Sequence, residues 1–249
     1  MPKVTILPDE KILSRTLAAQ LVAALREKPD LVLGLPTGRT PIRLYHELGA
    51  RYAKGEADLS RVTTFNLDEF LGVGPEHPGS YHAFMQEHLF ARVNVPPRQI
   101  NILNGAASDP AEECARYESA IVAAGGIDLQ LLGIGTNGHI GFNEPARELA
   151  GKTHRVVLKA STRRSNAALF GGSEANVPRE ALSMGMATIL RARRIIMIAT
   201  GKSKAGCVNR MVNGPITTRM PASFLQLHRD VELMLDEPAA GELSVVGSG

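Results

Sequence analysis

Short apolar runs ending at glycine or proline alternate along this chain with helix-spaced leucines, and few folds accommodate that order. Residues 3–7, Leu31 to Leu35, Val62 to Phe65, Asp128 to Leu132 and Ile195 to Ala199 read as strands. They are too short for helices, and strands buried on both faces read as continuous apolar runs rather than as alternations. Leu13, Leu17, Leu21 and Leu25 recur every four residues, joined by Ile12 and Val22, which predicts an amphipathic helix. A second helix is predicted from Pro41 with Thr40 as its cap, and others near 79–92, 109–124 and 202–213. Strands and helices in this alternation predict an α/β fold whose mainly parallel sheet carries helices on both faces.

The 249 residues are 44% apolar, enough for a large core without disulfides or metals. The Gly- and Pro-bearing stretches are short and follow the elements at regular intervals, so a single domain over 1–249 is expected, with 247–249 a disordered tail. No apolar run approaches the roughly 18 residues of a membrane span, and no secretory signal is visible. Cytoplasmic residence is the expectation. Net charge is +3 with a pI near 9.0. The basic surplus forms no patch beyond Arg191, Arg193 and Arg194, and aromatics are only 4%, so nucleic acid is not expected as a partner. Cys114 and Cys207 read as ordinary reduced thiols. His77, His82 and His88 do not stack on one helical face and have no HExxH beside them, so no metal is expected.

Four loops carry the chemistry, each directly after a predicted strand, where open α/β sheets bind ligands. In LVLGLPTGRTP, Thr37, Gly38, Arg39 and Thr40 form a turn into a helix N-terminus, a setting that attracts phosphate. The GKS or GKT ending of a Walker loop is absent. Gly133, Gly135 and Gly138 match GxGxxG, yet HIGFNEP follows in place of a helix and no acid stands near Arg155 to Leu158, so a dinucleotide cofactor is excluded. That loop instead gathers Asn137, His139, Asn143 and Glu144, a histidine beside a carboxylate that suits general acid–base work. In FNLDEF, Asp68 and Glu69 leave a strand at the ligand end; an acid there can move a proton on carbon, although a helix-start carboxylate is the plainer reading. In TGKSKAG, Lys202 and Lys204 offer a second anion contact.

Taken together, GLPTGRTP, FNLDEF, HPGSYHAFM, GIGTNGHIGFNEP, NVPREALSMGMATI and PASFLQLH resemble the signatures of the glucosamine-6-phosphate deaminase family, in the same order over nearly the whole chain. The resemblance implies a modified Rossmann-like three-layer α/β sandwich. It also implies conversion of glucosamine 6-phosphate and water to fructose 6-phosphate and ammonia, without metal or organic cofactor. On that basis His139 opens the sugar ring, Glu144 orients it, and Asp68 carries a proton between C2 and C1. Thr37, Gly38, Arg39, Thr40 and Lys204 hold the phosphate, and residues 158–181 form a lid with Gly171 and Gly172 permitting movement.

This chain departs from the family pattern in three places. Asn137 stands where some members have an acid, and is expected to fix the imidazole by hydrogen bonding. Ala168 stands where many carry a phosphate-binding arginine, whereas Arg39 replaces a common glycine, which suggests that Arg39 supplies the missing guanidinium. Arg147, His154 and Val156 occupy positions that bind an acetylated activator in allosteric members, and no such activation is expected here. The alternatives are a sibling 6-phosphogluconolactonase and a non-catalytic sugar-phosphate sensor. FNEP disfavours the first. The sensors carry a DNA-binding segment before the domain, which is not expected where the first strand begins at residue 3. A homo-oligomer is compatible with the sequence, since an exposed helix face and an interface look alike in one chain.

Overall fold

The computed structural model describes residues 2–243, so the tail expected at 247–249 lies outside the described residues. Its main sheet contains β1 (Lys3–Leu7), β2 (Val32–Leu35), β3 (Thr63–Asn66), β5 (Ile100–Asn101), β6 (Leu129–Leu132), β9 (Arg194–Ala199) and β10 (Val231–Asp236). Their order is β1-β10-β9-β6-β2-β3-β5, and every pairing is parallel. Side chains alternate between two apolar layers. Ile196, Ile198, Leu129, Leu131, Leu33 and Leu35 pack against α1 (Glu10–Glu27), α2 (Arg39–Ala53) and α3 (Tyr81–His88). Ile195, Met197, Leu132, Phe65 and Leu233 pack against α4 (Pro110–Ala123), α6 (Met186–Leu190), α7 (Ala205–Asn213) and α8 (Glu237–Ala240). This is the three-layer α/β architecture expected, and among the described residues no helix is long and apolar enough to cross a membrane.

Local chemistry explains most helix starts. Asp9 accepts from the Ile12 N–H at 2.7 Å and caps α1. Asp109 caps α4 at 2.8 and 3.1 Å, with Pro110 in the first turn. The Thr40 cap expected for the second helix is corrected: α2 begins at Arg39 behind Gly38, whose φ of 99° lets the chain turn into the helix earlier. Pro41 still falls in the first turn, where a missing N–H is harmless. The helix expected over 79–92 ends at His88, and residues 90–92 form a separate 3-10 turn. The one expected over 202–213 begins as a 3-10 turn over 202–204.

A second, antiparallel sheet was not anticipated. β4 (Asp68–Phe70), β8 (Glu180–Ser183) and β7 (His154–Val157) run in the order β4-β8-β7, with Asp68 opposite Ser183 and Phe70 opposite Ala181. It carries a small core of its own, in which Phe70, Tyr81, Phe142, Leu158 and Phe170 pack together. Phe70 meets Phe142 at 5.4 Å and Phe170 at 5.0 Å between ring centroids. Phe70 follows Asp68 closely in sequence and Phe142 lies between His139 and Glu144, so this sheet braces the loops that carry the chemistry.

Candidate active site

Because all strands of the main sheet point the same way, their carboxyl ends share one edge. The order β9-β6-β2-β3 places the four loops side by side there. The chain leaves β2 toward β3 on one side, whereas β6 lies on the other, so the crevice of an open α/β sheet opens between them.

One wall is cationic. Among the described residues no side chain caps α2, and no acid occupies its first turn, so its leading N–H groups and positive dipole end stay available. Arg39 is exposed at this turn and Thr37 is half-buried. Lys204, half-buried at the head of α7, donates to the Ile134 carbonyl at 2.7 Å. Burial holds its ammonium below the usual range; the Cys207 thiol opposes this, and the positive charge of Arg39 adds to it. Among the described residues neither Arg39 nor Lys204 has an acidic partner. Two cations that repel one another beside an uncapped helix end make a site for an anion.

The two acids of FNLDEF part company. Glu69 is a structural cap: its Oε1 accepts from the N–H groups of Phe70 and Tyr81 at 2.8 and 2.9 Å, and its Oε2 accepts from His82 at 2.9 Å. With the Ser80 hydroxyl on Ala83 at 3.0 Å, it closes the start of α3. Burial pushes Glu69 up to about 7, and those three donors oppose the rise. Asp68 is only 5% exposed, and its Oδ1 has no partner among the described residues. Burial first, then the neighbouring Glu69 charge, raises it to about 8, and the Thr37 hydroxyl opposes this. A buried carboxyl with an unpaired oxygen stores reactivity that a folded core would otherwise satisfy.

The glycine-rich loop is shaped around His139. A Cβ on Gly135 would fall 2.2 Å from the imidazole Cε1, and one on Gly138, at φ 86°, would fall 2.0 Å from the Met220 sulfur. Gly135 therefore makes room for the histidine ring and Gly138 for Met220. Asn137 accepts from the His139 backbone N–H at 3.1 Å, so it fixes the loop; the ring contact expected of it is corrected. His139 Nδ1 is buried without a partner among the described residues. Burial lowers His139 to about 4, opposed by the charge of Glu144 and reinforced by Lys204 and Lys159. The ring is therefore neutral at pH 7. Asn143 donates to the carbonyls of Ile140 and Met184 at 2.9 and 2.8 Å, which locks the FNEP turn. Gly141, at φ 56°, lets that turn pass Asp68 Oδ2, which a Cβ would approach to 3.3 Å.

Glu144, 7% exposed, is reached from the segment expected to be a lid. That segment contains α5 (Ala160–Asn166) and two 3-10 turns, Ala167–Phe170 and Glu174–Asn176. Thr162 donates to Glu144 Oε1, and Lys159 Nζ lies 3.4 Å from Oε2. Ala168 occupies the first of these turns and brings no charge. Three contributors were not foreseen: Lys159, Thr162, and Tyr81, which feels Asp68 and the Thr37 hydroxyl. Tyr81 stands inside HPGSYHAFM and was within reach of a motif reading; nothing around Thr162 in sequence announces its contact. His154 and Val156 lie on β7, and the His154 ring faces the Lys152 carbonyl at 3.1 Å. Among the described residues no group of His, Cys, Asp and Glu is arranged to hold a metal.

Residues 10–234 match the family described as glucosamine-6-phosphate isomerases/6-phosphogluconolactonase. A glucosamine-6-phosphate deaminase of Halothermothrix orenii is 48% identical over 97% of this chain and 100% of its own length. One from Thermoanaerobacter sp. (strain X514) is 45% identical over 96% and 94%. A solved structure of a monomeric glucosamine-6-phosphate deaminase superposes with a TM-score of 0.93 at 42% identity, covering 96% of this chain and 99% of that one. A 6-phosphogluconolactonase from Trypanosoma cruzi shares the fold alone, at TM-score 0.76 and 20% identity. With the signature loops meeting at one sheet edge and relatives of this closeness over nearly the whole length, the chain belongs to the glucosamine-6-phosphate isomerase/6-phosphogluconolactonase family.

Proposed function

We propose that this protein is a glucosamine-6-phosphate deaminase of amino-sugar catabolism, converting its substrate and water to fructose 6-phosphate and ammonia. The observation that carries the reading is the buried Asp68 carboxyl, with one oxygen unpaired among the described residues, at the edge that also holds a neutral His139 and a helix end that none of those residues caps, flanked by cations. Lactone hydrolysis needs a base to activate water but no acid that shuttles a proton between carbons. The relatives at 45–48% identity are deaminases by name. The protein is read as a one-domain cytoplasmic enzyme; the monomeric relative supports a catalytic unit of one chain.

The phosphate dianion docks at the turn of Thr37, Gly38, Arg39 and Thr40 and against Lys204. This remote binding fixes the sugar against the reacting groups. His139, neutral when free, takes the proton of the C1 hydroxyl and returns it to the ring oxygen, opening the pyranose. Glu144 stabilises the imidazolium in between. Asp68 holds its own proton near pH 7 in the free enzyme. The ammonium at C2 of the bound sugar favours the carboxylate, so the substrate helps to generate its own base. Asp68 then takes the proton from C2 while the C2 ammonium gives a proton to the C1 oxygen, forming an enolamine, and Asp68 delivers its proton to C1. Carbon 2 becomes an iminium and water adds there; a proton passes from the added water to the nitrogen, and the C–N bond breaks to leave the C2 carbonyl and ammonia.

The test is ammonia release from glucosamine 6-phosphate, run beside hydrolysis of 6-phosphogluconolactone. Ammonia without lactonase activity is expected; lactonase activity without ammonia would overturn the reading.

A further inference from the structure

The start of α5 and the helix itself present one face to the catalytic groups. Lys159, Thr162 and Asn166 are spaced by three and four residues, which aligns them along one side of a helix. Lys159 Nζ donates to the Pro145 carbonyl at 2.6 Å and lies 3.4 Å from Glu144 Oε2. The Thr162 hydroxyl donates to Glu144 Oε1, and it donates nowhere else among the described residues. At the far end, Asn166 accepts from the Tyr81 hydroxyl at 3.3 Å.

The rest of the segment is held together from within. Arg163 and Arg164 both reach Glu174, at 3.1 and 3.5 Å. Phe170 anchors it in the small aromatic core, 5.0 Å from Phe70 and 5.4 Å from His77. Gly171 and Gly172, at φ 73° and 83°, break the backbone directly after that anchor. The segment thus has the construction of a unit that seats and unseats as a whole, and its polar contacts reach Glu144, Pro145 and Tyr81.

We propose that Thr162 is a positioning residue of the deaminase reaction. With the segment seated, its hydroxyl, assisted by Lys159, holds the Glu144 carboxyl in one orientation beside His139; with the segment lifted, the pair loses that support. The inference rests on the deaminase reading above. Thr162 is 5% exposed and Glu144 7%, so water does not replace the lost donor. The groups that face Glu144 are the neutral His139 on the glycine-rich loop and the Lys159 ammonium at the head of α5. Without the hydroxyl, the carboxyl is free to turn away from His139, and the ring-opening step slows.

The experiment compares ammonia release across glucosamine 6-phosphate concentrations for wild type, Thr162→Val, Thr162→Ala and Thr162→Ser. Thr162→Val keeps the shape and removes the donor. It is expected to lower kcat about 10- to 100-fold and leave KM within about twofold because the phosphate wall is untouched. Thr162→Ala is expected to behave likewise, and Thr162→Ser to restore the rate. A valine variant with wild-type kcat overturns the inference. So does a similar loss of rate in all three variants, serine included, which is what packing damage alone produces. A wild-type chain that releases no ammonia overturns the functional reading, and this inference with it.

Discussion

Replacing Asp68 with asparagine separates what this carboxyl does for the reaction from what it costs the fold. The folded protein keeps the Asp68 proton up to about pH 8, whereas an ordinary aspartate releases it near 3.8. Because the folded state binds this proton more tightly than the unfolded chain, stability from this group is complete below about pH 4 and declines as pH rises toward 8. Each pH unit in that window is worth about 1.4 kcal/mol, so the carboxyl costs the fold about 6 kcal/mol by pH 9. Asparagine has nearly the same shape and no charge to bury. Asp68→Asn is therefore expected to match wild type in stability near pH 4 and to exceed it by several kcal/mol near pH 9. Glu69 remains in both proteins, and losing its charged neighbour relieves it further. Urea unfolding at four or so pH values across that range measures the difference directly, and ammonia release should fall at least about a thousandfold. A stability difference that stays constant with pH, or a variant less stable than wild type at pH 9, would refute the account of a buried, strained acid.

Other consequences are open to direct measurement. Arg39→Ala should raise KM for glucosamine 6-phosphate about tenfold with kcat nearly unchanged, because it removes one cation of the phosphate wall; an unchanged KM would show that Arg39 does not replace the arginine missing at Ala168. Since His139 is held at about 4 in the free enzyme, any inflection of kcat/KM near pH 6.5 should come from the substrate phosphate and persist in His139→Asn; one that vanishes in that variant would contradict the neutral-ring assignment. Glu69→Gln presents a donor where an acceptor is needed and should cost about 2–3 kcal/mol in denaturant unfolding, while KM of the folded fraction stays near wild type; an unaltered unfolding midpoint would remove Glu69 from its capping role.

The alternation of strands and helices was legible because each link is local: apolar runs for buried parallel strands, four-residue spacing for α1, Asp109 and Pro110 for the start of α4. The four loops were legible for the same reason, since a loop directly after a parallel strand has its end of the sheet fixed by direction alone. Three-dimensional structure decided the rest. Two adjacent acids, alike in sequence, became a three-donor helix cap and a buried reactive carboxyl, because β4 pairs with β8 and turns Glu69 toward α3. Asn137 serves the backbone of His139, not its ring. Thr162 meets Glu144 across 18 residues of chain, a contact that no spacing encodes because the small antiparallel sheet and its aromatic core create it. Local sequence sets which residues leave the sheet at its carboxyl edge; burial and long-range packing set which of them stay charged, which are neutral, and which only hold the others in place.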